Sequence, residues 1–549
     1  MRKAKQITGI IFRYQVKCCL LLITCYLLFA SCKREKTNWD DNLVAPLANG
    51  NLSLGNLFPD TVIKANNDSS LSIVLNTNLI NYQIDSLIKI HDTTITTKSL
   101  DTLGIKFPIG AGTSLFSNSS SNYYTLPNGI QLRKAIIKQG KVKVTMFNSV
   151  NDTLLYNYQL PSATKAGAII NQTFTIPKRI SPTMPSTLTA YIDLSGYTID
   201  FTGTGNQTNT ILQIGQISVA PMAHSDTLYP NQGLISNFTF TGIVPQYALG
   251  YFGSQTIKVG PDTAAFNVFS SIKKGILNLN SASATFIITN QFGVDMQANI
   301  SNINSINTNN PSTVVLSNTP NQLNNIYVPA AHDINGPNNP VIGISASPRI
   351  LTFNNSNSNI KDFIGNLPGK LSYKLTAQVN PYGNTSGNND FAYYGTSFSA
   401  ALSMNVPLYF SASNLMLADT VSLNLSGVNQ LQNINKGNLI LTATNSYPFS
   451  INLMATLLDA NKQPMGSLFS SPSLIQVPPL DANGKVINAL TSKLYIPLNP
   501  QKVSLLQKAK YVYYTATFNT ANQPNQVKFY SNYTLGLLLT ADINYTVGK

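Results

Sequence analysis

Glu35 is the only glutamate in 549 residues. Everything after it must fold without one of the best helix formers and without most of the i,i+4 ion pairs that support helices. What the chain has instead is alternation. In Lys141-Val142-Lys143-Val144-Thr145-Met146 the apolar residues fall on one face. Phe449, Ile451, Leu453, Ala455 and Leu457 repeat the pattern, and Thr534 to Val547 reads as one long late strand. Period-two patterns of this kind mark strands with one buried face. Asn, Ser and Thr supply roughly 30% of the chain and charged residues only 10%, against about a quarter in ordinary domains. The expected fold is all-β: tandem antiparallel β-sandwich modules, immunoglobulin-like, with few short helices. Two helices are expected. One follows Asn499-Pro500 to about Ala509, where Asn caps and Pro suits the first turn; the other covers Ile360 to Asn366.

A weak internal repeat runs through the strands. Ile137-Lys138-Gln139-Gly140 leads through a strand to Asn148, and Ile434-Asn435-Lys436-Gly437 leads to Asn445 at the same spacing. Ile272-Lys273-Lys274-Gly275 starts a similar unit, with Asn290 seven residues further on. Each Asn reads as a hairpin turn between two strands. Further tight turns are expected at Asn49-Gly50, Asn128-Gly129, Asn335-Gly336 and Asn483-Gly484. The Asn-rich stretch from Asn299 to Asn325 reads as a loop. These features divide the chain into a signal segment at 1–31, a tether at 32–45, and three β-modules at 46–215, 216–345 and 346–549.

The N-terminus carries Arg2, Lys3, Lys5, Arg13 and Lys17 without an acid, then an apolar run from Cys18 to Phe29. That run is shorter than the roughly 20 residues needed to span a bilayer. It has the layout of a secretory signal and ends in Leu28-Phe29-Ala30-Ser31-Cys32. In these residues the chain resembles bacterial lipoproteins, in the relaxed form of the Bacteroidota. The resemblance implies cleavage before Cys32, acyl chains on Cys32 and anchoring in the outer membrane, where Lys33 in place of Asp favours that destination. The segments Trp39 to Leu57 and Asn445 to Leu458 resemble large Bacteroidota lipoproteins, a likeness that carries no activity.

All four cysteines lie in the first 32 residues, which excludes a disulfide framework in the body. The net charge is +15, yet Arg133, Arg179 and Arg349 are the only arginines beyond the signal and tether, and no dense basic stripe suggests nucleic acid. A pair of catalytic carboxylates would have to be two aspartates, and nothing selects a pair. His91, His224 and His332 each have an Asp nearby, namely Asp92, Asp226 and Asp333, but none has metal-ligand spacing. Gly365 to Lys370 is one residue short of a phosphate loop. Ser162 and Lys165 fit a Ser-x-x-Lys pattern without its companion motifs. No cofactor and no metal is expected; Asp390, among Asn and Gly, is one carboxylate and too few for calcium.

Two aromatic segments are candidate binding loops. Pro381 to Tyr394 holds Tyr382, Phe391, Tyr393 and Tyr394; Tyr247 to Gly253 holds Tyr247, Tyr251 and Phe252. Rings on loops can stack on sugars or anchor a protein. The reading that follows is a non-enzymatic scaffold or binding accessory of the cell envelope, held to the membrane through Cys32 and presenting edges and loops to an envelope protein. The alternatives are a glycan- or nutrient-binding lipoprotein beside an outer-membrane transporter, with a glycan as partner, and a lipid carrier.

Overall fold

A computed structural model describes residues 39–83, 92–272, 274–426, 434–520 and 526–547. The signal segment, Cys32 and His91 lie outside the described residues. The chain forms two compact units. One takes its described residues from 39–56, Met416–Asn519 and 532–547, the other from Leu57–Leu415 and Thr520–Ser531.

The fold is all-β and built of antiparallel sandwiches, as expected, and the pairing repeats one plan three times. In the first roll one sheet runs, in spatial order, Trp39–Ser53, Thr534–Val547, Ile434–Asn445, Leu490–Pro497. Its second sheet runs Leu415–Ser422, Tyr511–Phe518, Ile451–Leu458, with Pro464–Ser467 and Ser473–Ile475 on the last strand. The second roll repeats this order as Leu71–Gln83, Ser397–Pro407, Ser283–Asn290, Arg349–Phe353 and as Gln255–Ala265, Lys370–Val379, Met296–Asn307 with Ser312–Val315 and Ile326–Val328. The third roll does so as Thr93–Leu100, Gly233–Tyr251, Gln131–Asn148, Ser186–Asp193 and as Ser114–Tyr123, Thr210–Val219, Leu154–Lys165, Ala168–Ile176. Numbered along the chain within each roll, the sheets read 1-8-3-6 and 2-7-4-5. That is the eight-stranded order of a jelly roll, which sets these sandwiches apart from the immunoglobulin type.

The rolls are nested. The second roll leaves the first between strands one and two, after Ser53, and the chain returns at Leu415. The third leaves the second at the same place, between Gln83 and Gln255. This corrects the contiguous modules at 46–215, 216–345 and 346–549. Gly215 lies inside a strand, and strands from all three of those spans join one ten-stranded sheet. The tether is corrected too: Trp39 to Ala45 already pair, in register, with Val547 to Ala541. Contiguity fails because strand one of the first and of the second roll is paid out before an insertion and strand eight closes on it after the return.

The alternating residues face inward as expected. Val142, Val144 and Met146 are buried, as are Ile451, Leu453, Ala455 and Leu457. In the third roll, Tyr158 of one sheet stacks on Phe238 of the other with centroids 4.4 Å apart. In the second, the Tyr373 hydroxyl donates to the Leu79 carbonyl of the facing sheet at 2.6 Å. Helix α1 (Ile360–Gly365) and helix α2 (Pro500–Lys508) stand where expected, and Asn499 Oδ1 caps α2 from the Lys502 N–H at 2.8 Å. Asn49-Gly50 is not a turn. It lies within strand one of the first roll, where a Cβ on Gly50 would meet Val421 at 3.2 Å. Asn299–Asn307 is strand rather than loop; a bulge between Ser301 and Asn304 interrupts its period and hid it.

The repeated asparagines end strand three of each roll and are fully buried. Asn148 Nδ2 donates to the carbonyls of Asp152 (2.8 Å) and Pro177 (2.9 Å), and its Oδ1 accepts from the Val150 N–H at 2.8 Å. Asn290 bonds Val294 (2.7 Å) and Pro329 (3.1 Å) and accepts from Phe292 (3.1 Å). Asn445 bonds Phe449 (2.9 Å) and Gln476 (2.9 Å) and accepts from Tyr447 (2.9 Å). The offsets i+2 and i+4 are identical. The expected hairpin is corrected: strands three and four lie in opposite sheets, so the chain arches across the core. An arch takes backbone groups out of both ladders while keeping them buried; the amide side chain, acceptor and double donor, satisfies two of them and a partly buried carbonyl from further along the chain. The repeated glycines mark close approach. A Cβ at Gly437 would sit 2.7 Å from the Asp542 carbonyl oxygen, and one at Gly140 3.2 Å from Ile243 Cα.

Candidate functional site

The aromatic segments do not form binding loops. Tyr247 belongs to strand eight of the third roll, and Asp390–Tyr393 pairs with it, Tyr247 opposite Tyr393. Tyr247, Phe252, Phe391 and Tyr393 are buried. With Ile136 and Ala331, three of them (Tyr247, Phe391 and Tyr393) make a small core where the second and third rolls join. Both phenols donate to Asp333, Tyr247 at 3.1 Å and Tyr393 at 2.8 Å. Burial first, and then the Asp333 charge, pushes their pKa values far up. Asp390 is buried beside them; its Oδ2 accepts from the Phe252 N–H at 2.9 Å and Asn380 Nδ2 at 2.7 Å. Among the described residues no group of three His, Cys, Asp or Glu could hold a metal. Tyr251 is half-buried. Only Tyr382, 64% exposed, and Tyr394 face solvent, and the Lys138 ammonium lies 3.1 Å from the centroid of the Tyr394 ring. Gly383, Gly387 and Asn388, all at positive φ, made the segment look like loop throughout; its last residues are a strand.

The other sequence candidates are structural. Ser162 Oγ accepts from the Leu212 N–H at 2.9 Å, and Lys165 Nζ donates to the Ser195 carbonyl at 2.9 Å. His332 lies in a two-residue strand against Ile344–Ser345.

A different region of the third roll gathers functional side chains. Strands that alternate in direction place connections 1–2, 3–4, 5–6 and 7–8 at one end of a roll. Here those are residues 101–113, 149–153, 177–185 and 220–232. They are tied to one another: Arg179 N–H to Val150 O (3.0 Å), Ala220 N–H to Thr153 O (2.9 Å) and Asp101 N–H to Gln232 O (2.8 Å). Phe107–Ile109 pairs with Asp226–Leu228.

Among these loops lies a cleft of about 530 Å³, lined by Asn151, Asp152, Lys178, Met222, His224 and Asp226 among others. Its size is that of a small-molecule site. Asp152 is 7% exposed, and its Oδ2 and that of Asp226 are buried without a hydrogen-bond partner. Burial raises the Asp152 pKa, and the Asp226 charge raises it further; His224 and Lys178 oppose this. The sequence showed His224 and Asp226 two residues apart, but Asp152 and Lys178 come from distant loops that only the jelly-roll topology brings together.

A raised native pKa means that the folded state holds the proton more tightly than the unfolded one. The stability so gained is full below the unfolded value, 3.8, and is lost as pH rises through the folded pKa. Asp152→Asn therefore stabilises the second unit at pH 7, and the gain disappears near pH 3. Urea unfolding at the two pH values checks this; a loss of stability at pH 7 contradicts it.

No family model matches the chain, and no curated protein matches it. Among solved structures it is similar to a protein of Parabacteroides distasonis ATCC 8503 described as secreted, at 9% identity over 91% of this chain and 99% of that one, with a TM-score of 0.26. It is also similar to an archaeal virus protein described by its triple jelly roll fold and turret assembly, at 12% identity over 82% of this chain and 96% of that one, with a TM-score of 0.10. At these scores neither likeness bears on fold or function. No helix among the described residues is long and apolar enough to cross a membrane.

Proposed function

We propose that this chain is an outer-membrane lipoprotein, held by acyl chains on Cys32, that acts without catalysis as a scaffold or binding accessory of the cell envelope. Its contact surface is the loop end of the third roll. The observation that supports this is the number of exposed apolar side chains on the loops of that end: Met222 is 92% exposed, Leu103 75% and Ile180 67%. Soluble surfaces rarely concentrate such groups unless something covers them.

The test has two parts. Exported behind an ordinary cleaved signal, the Cys32→Ser chain is stripped from membranes by a high-salt, alkaline wash that leaves the parent in place, since it has no acyl anchor. A photo-crosslinker at position 222 captures an envelope component in cells, and one at Ile350, on an edge strand of the second roll, does not. Retention of the Cys32→Ser protein on washed membranes, or equal capture at both positions, refutes the reading.

The polar cleft favours one rival, glycan capture, since its aspartates and the exposed Lys178 ammonium are groups that suit hydroxyl-rich ligands. Saturable quenching of tyrosine fluorescence by an oligosaccharide would favour it. The lipid-carrier reading has little to rest on. The apolar cavity bounded by Tyr124, Phe201 and Phe240 is about 40 Å³, space for about three waters.

A further inference from the structure

The loop end differs from an ordinary polar surface in two ways. Six large apolar side chains project from its loops: Leu103, Ile105, Ile180, Met184, Met222 and Tyr229, from 41% to 92% exposed. They sit on three separate loops that the hydrogen bonds above hold together, so they project as a set. The fully exposed formal charges among them have one sign. Lys106 and Lys178 are exposed and Arg179 is half-buried, whereas Asp101 and Asp152 are buried and Asp226 is half-buried. Lys106 Nζ lies 5.0 Å from the centroid of the Tyr229 ring, which places a cation beside an exposed aromatic.

We infer that the loop end of the third roll docks on an anionic phospholipid surface, with Met222, Leu103, Ile105, Ile180 and Met184 entering the headgroup–acyl boundary and Lys106 and Lys178 meeting lipid phosphates. This deepens the reading of the loop end as a contact surface and rests on it. The chemistry favours a lipid surface over a protein. Five of the six apolar groups are the unbranched or branched chains of Met, Leu and Ile, spread over three loops, and the cleft among those loops is polar. Interfacial binding needs apolar groups that reach past the headgroups and cations at headgroup level. A membrane surface accepts protruding side chains without a complementary shape.

The test is vesicle flotation of the mature chain from residue 32 carrying Cys32→Ser, so that neither the signal segment nor an acyl chain supplies affinity. Vesicles of phosphatidylethanolamine and phosphatidylglycerol are compared with vesicles of phosphatidylcholine alone. The expected result is flotation with the anionic vesicles and at least about tenfold less with the neutral ones. Met222→Asp and Leu103→Asp each lower binding about tenfold or more. Lys106→Gln with Lys178→Gln lowers it about twentyfold and removes most of its salt dependence. Ile350→Asp leaves it unchanged. Unaltered melting of each variant shows that the fold is kept, as exposed loop positions predict. Absence of flotation, equal binding to both vesicle types, or variants that bind like the parent overturns the inference. If vesicles fail while the crosslinker at position 222 captures a protein, the contact-surface reading survives and the lipid surface falls.

Discussion

Replacing Asn445 by Ala should destabilise the first unit by about 3–5 kcal/mol, and Asn148→Ala or Asn290→Ala should do the same to the second. Each substitution strands one buried N–H, one buried carbonyl and one partly buried carbonyl, and an unsatisfied buried group costs about 1–3 kcal/mol. Collapse of the arch around the smaller side chain recovers part of that. Against a domain stability of about 5–15 kcal/mol the loss is large. Asp at the same positions should be worse, because its second oxygen faces the two carbonyls that Asn Nδ2 serves: Phe449 and Gln476 in the first roll, Asp152 and Pro177 in the third. Urea unfolding monitored by circular dichroism measures all three. Costs below about 1 kcal/mol at every site would mean that the arches do not need the amide.

The second large effect concerns which pieces of the chain can fold alone. All eight strands of the third roll lie between Thr93 and Tyr251, and its core draws on both sheets from within that span. A fragment of residues 92–252 should therefore fold by itself. It should be less stable than in the intact chain, because Tyr247 and Ile136 lose Phe391, Tyr393 and Ala331. The span 216–345 should not fold. It holds strands two to five of the second roll and strand eight of the third, but lacks the strands that those must pair with, such as Ser397–Pro407 and Gln131–Asn148. Contiguous dissection should thus destroy three folds, and nested dissection should preserve one.

Local features of the fold were legible because they are written in short windows. Thr534–Val547 alternates without interruption, Asn499-Pro500 starts a helix, and the spacing from glycine to asparagine repeats in two rolls. The extra seven residues before Asn290 have a visible cause: Ile276–Leu279 leaves to pair with Tyr409–Ser413 before strand three resumes at Ser283. Long-range order was not legible. Nothing near Ser53 tells that its strand closes on Thr534, because partner choice is set by burial of complementary faces and not by neighbours in sequence. The arch looked like a hairpin for the same reason: one asparagine suits either, and only the sheet of the next strand decides.

The candidate site shows the same division. Tyr382 and Tyr394 are exposed as loop rings should be, but Tyr247, Phe391 and Tyr393 were drawn into the joint between two rolls, where burial of aromatic surface outweighs display. The cleft was missed because Asp152, Lys178 and Asp226 lie on three connections that come to one end only once the strands are paired and alternate in direction. No window of sequence contains them together.

The nested order of the rolls is the central claim, and the isolated fragment 92–252 tests it most directly. Its thermal melt and its amide proton spectrum should be those of a folded β domain: one cooperative transition and dispersed amide resonances. A fragment with no cooperative transition and collapsed amide dispersion would contradict the account, because a roll that cannot close without its neighbours is not the inserted unit described here.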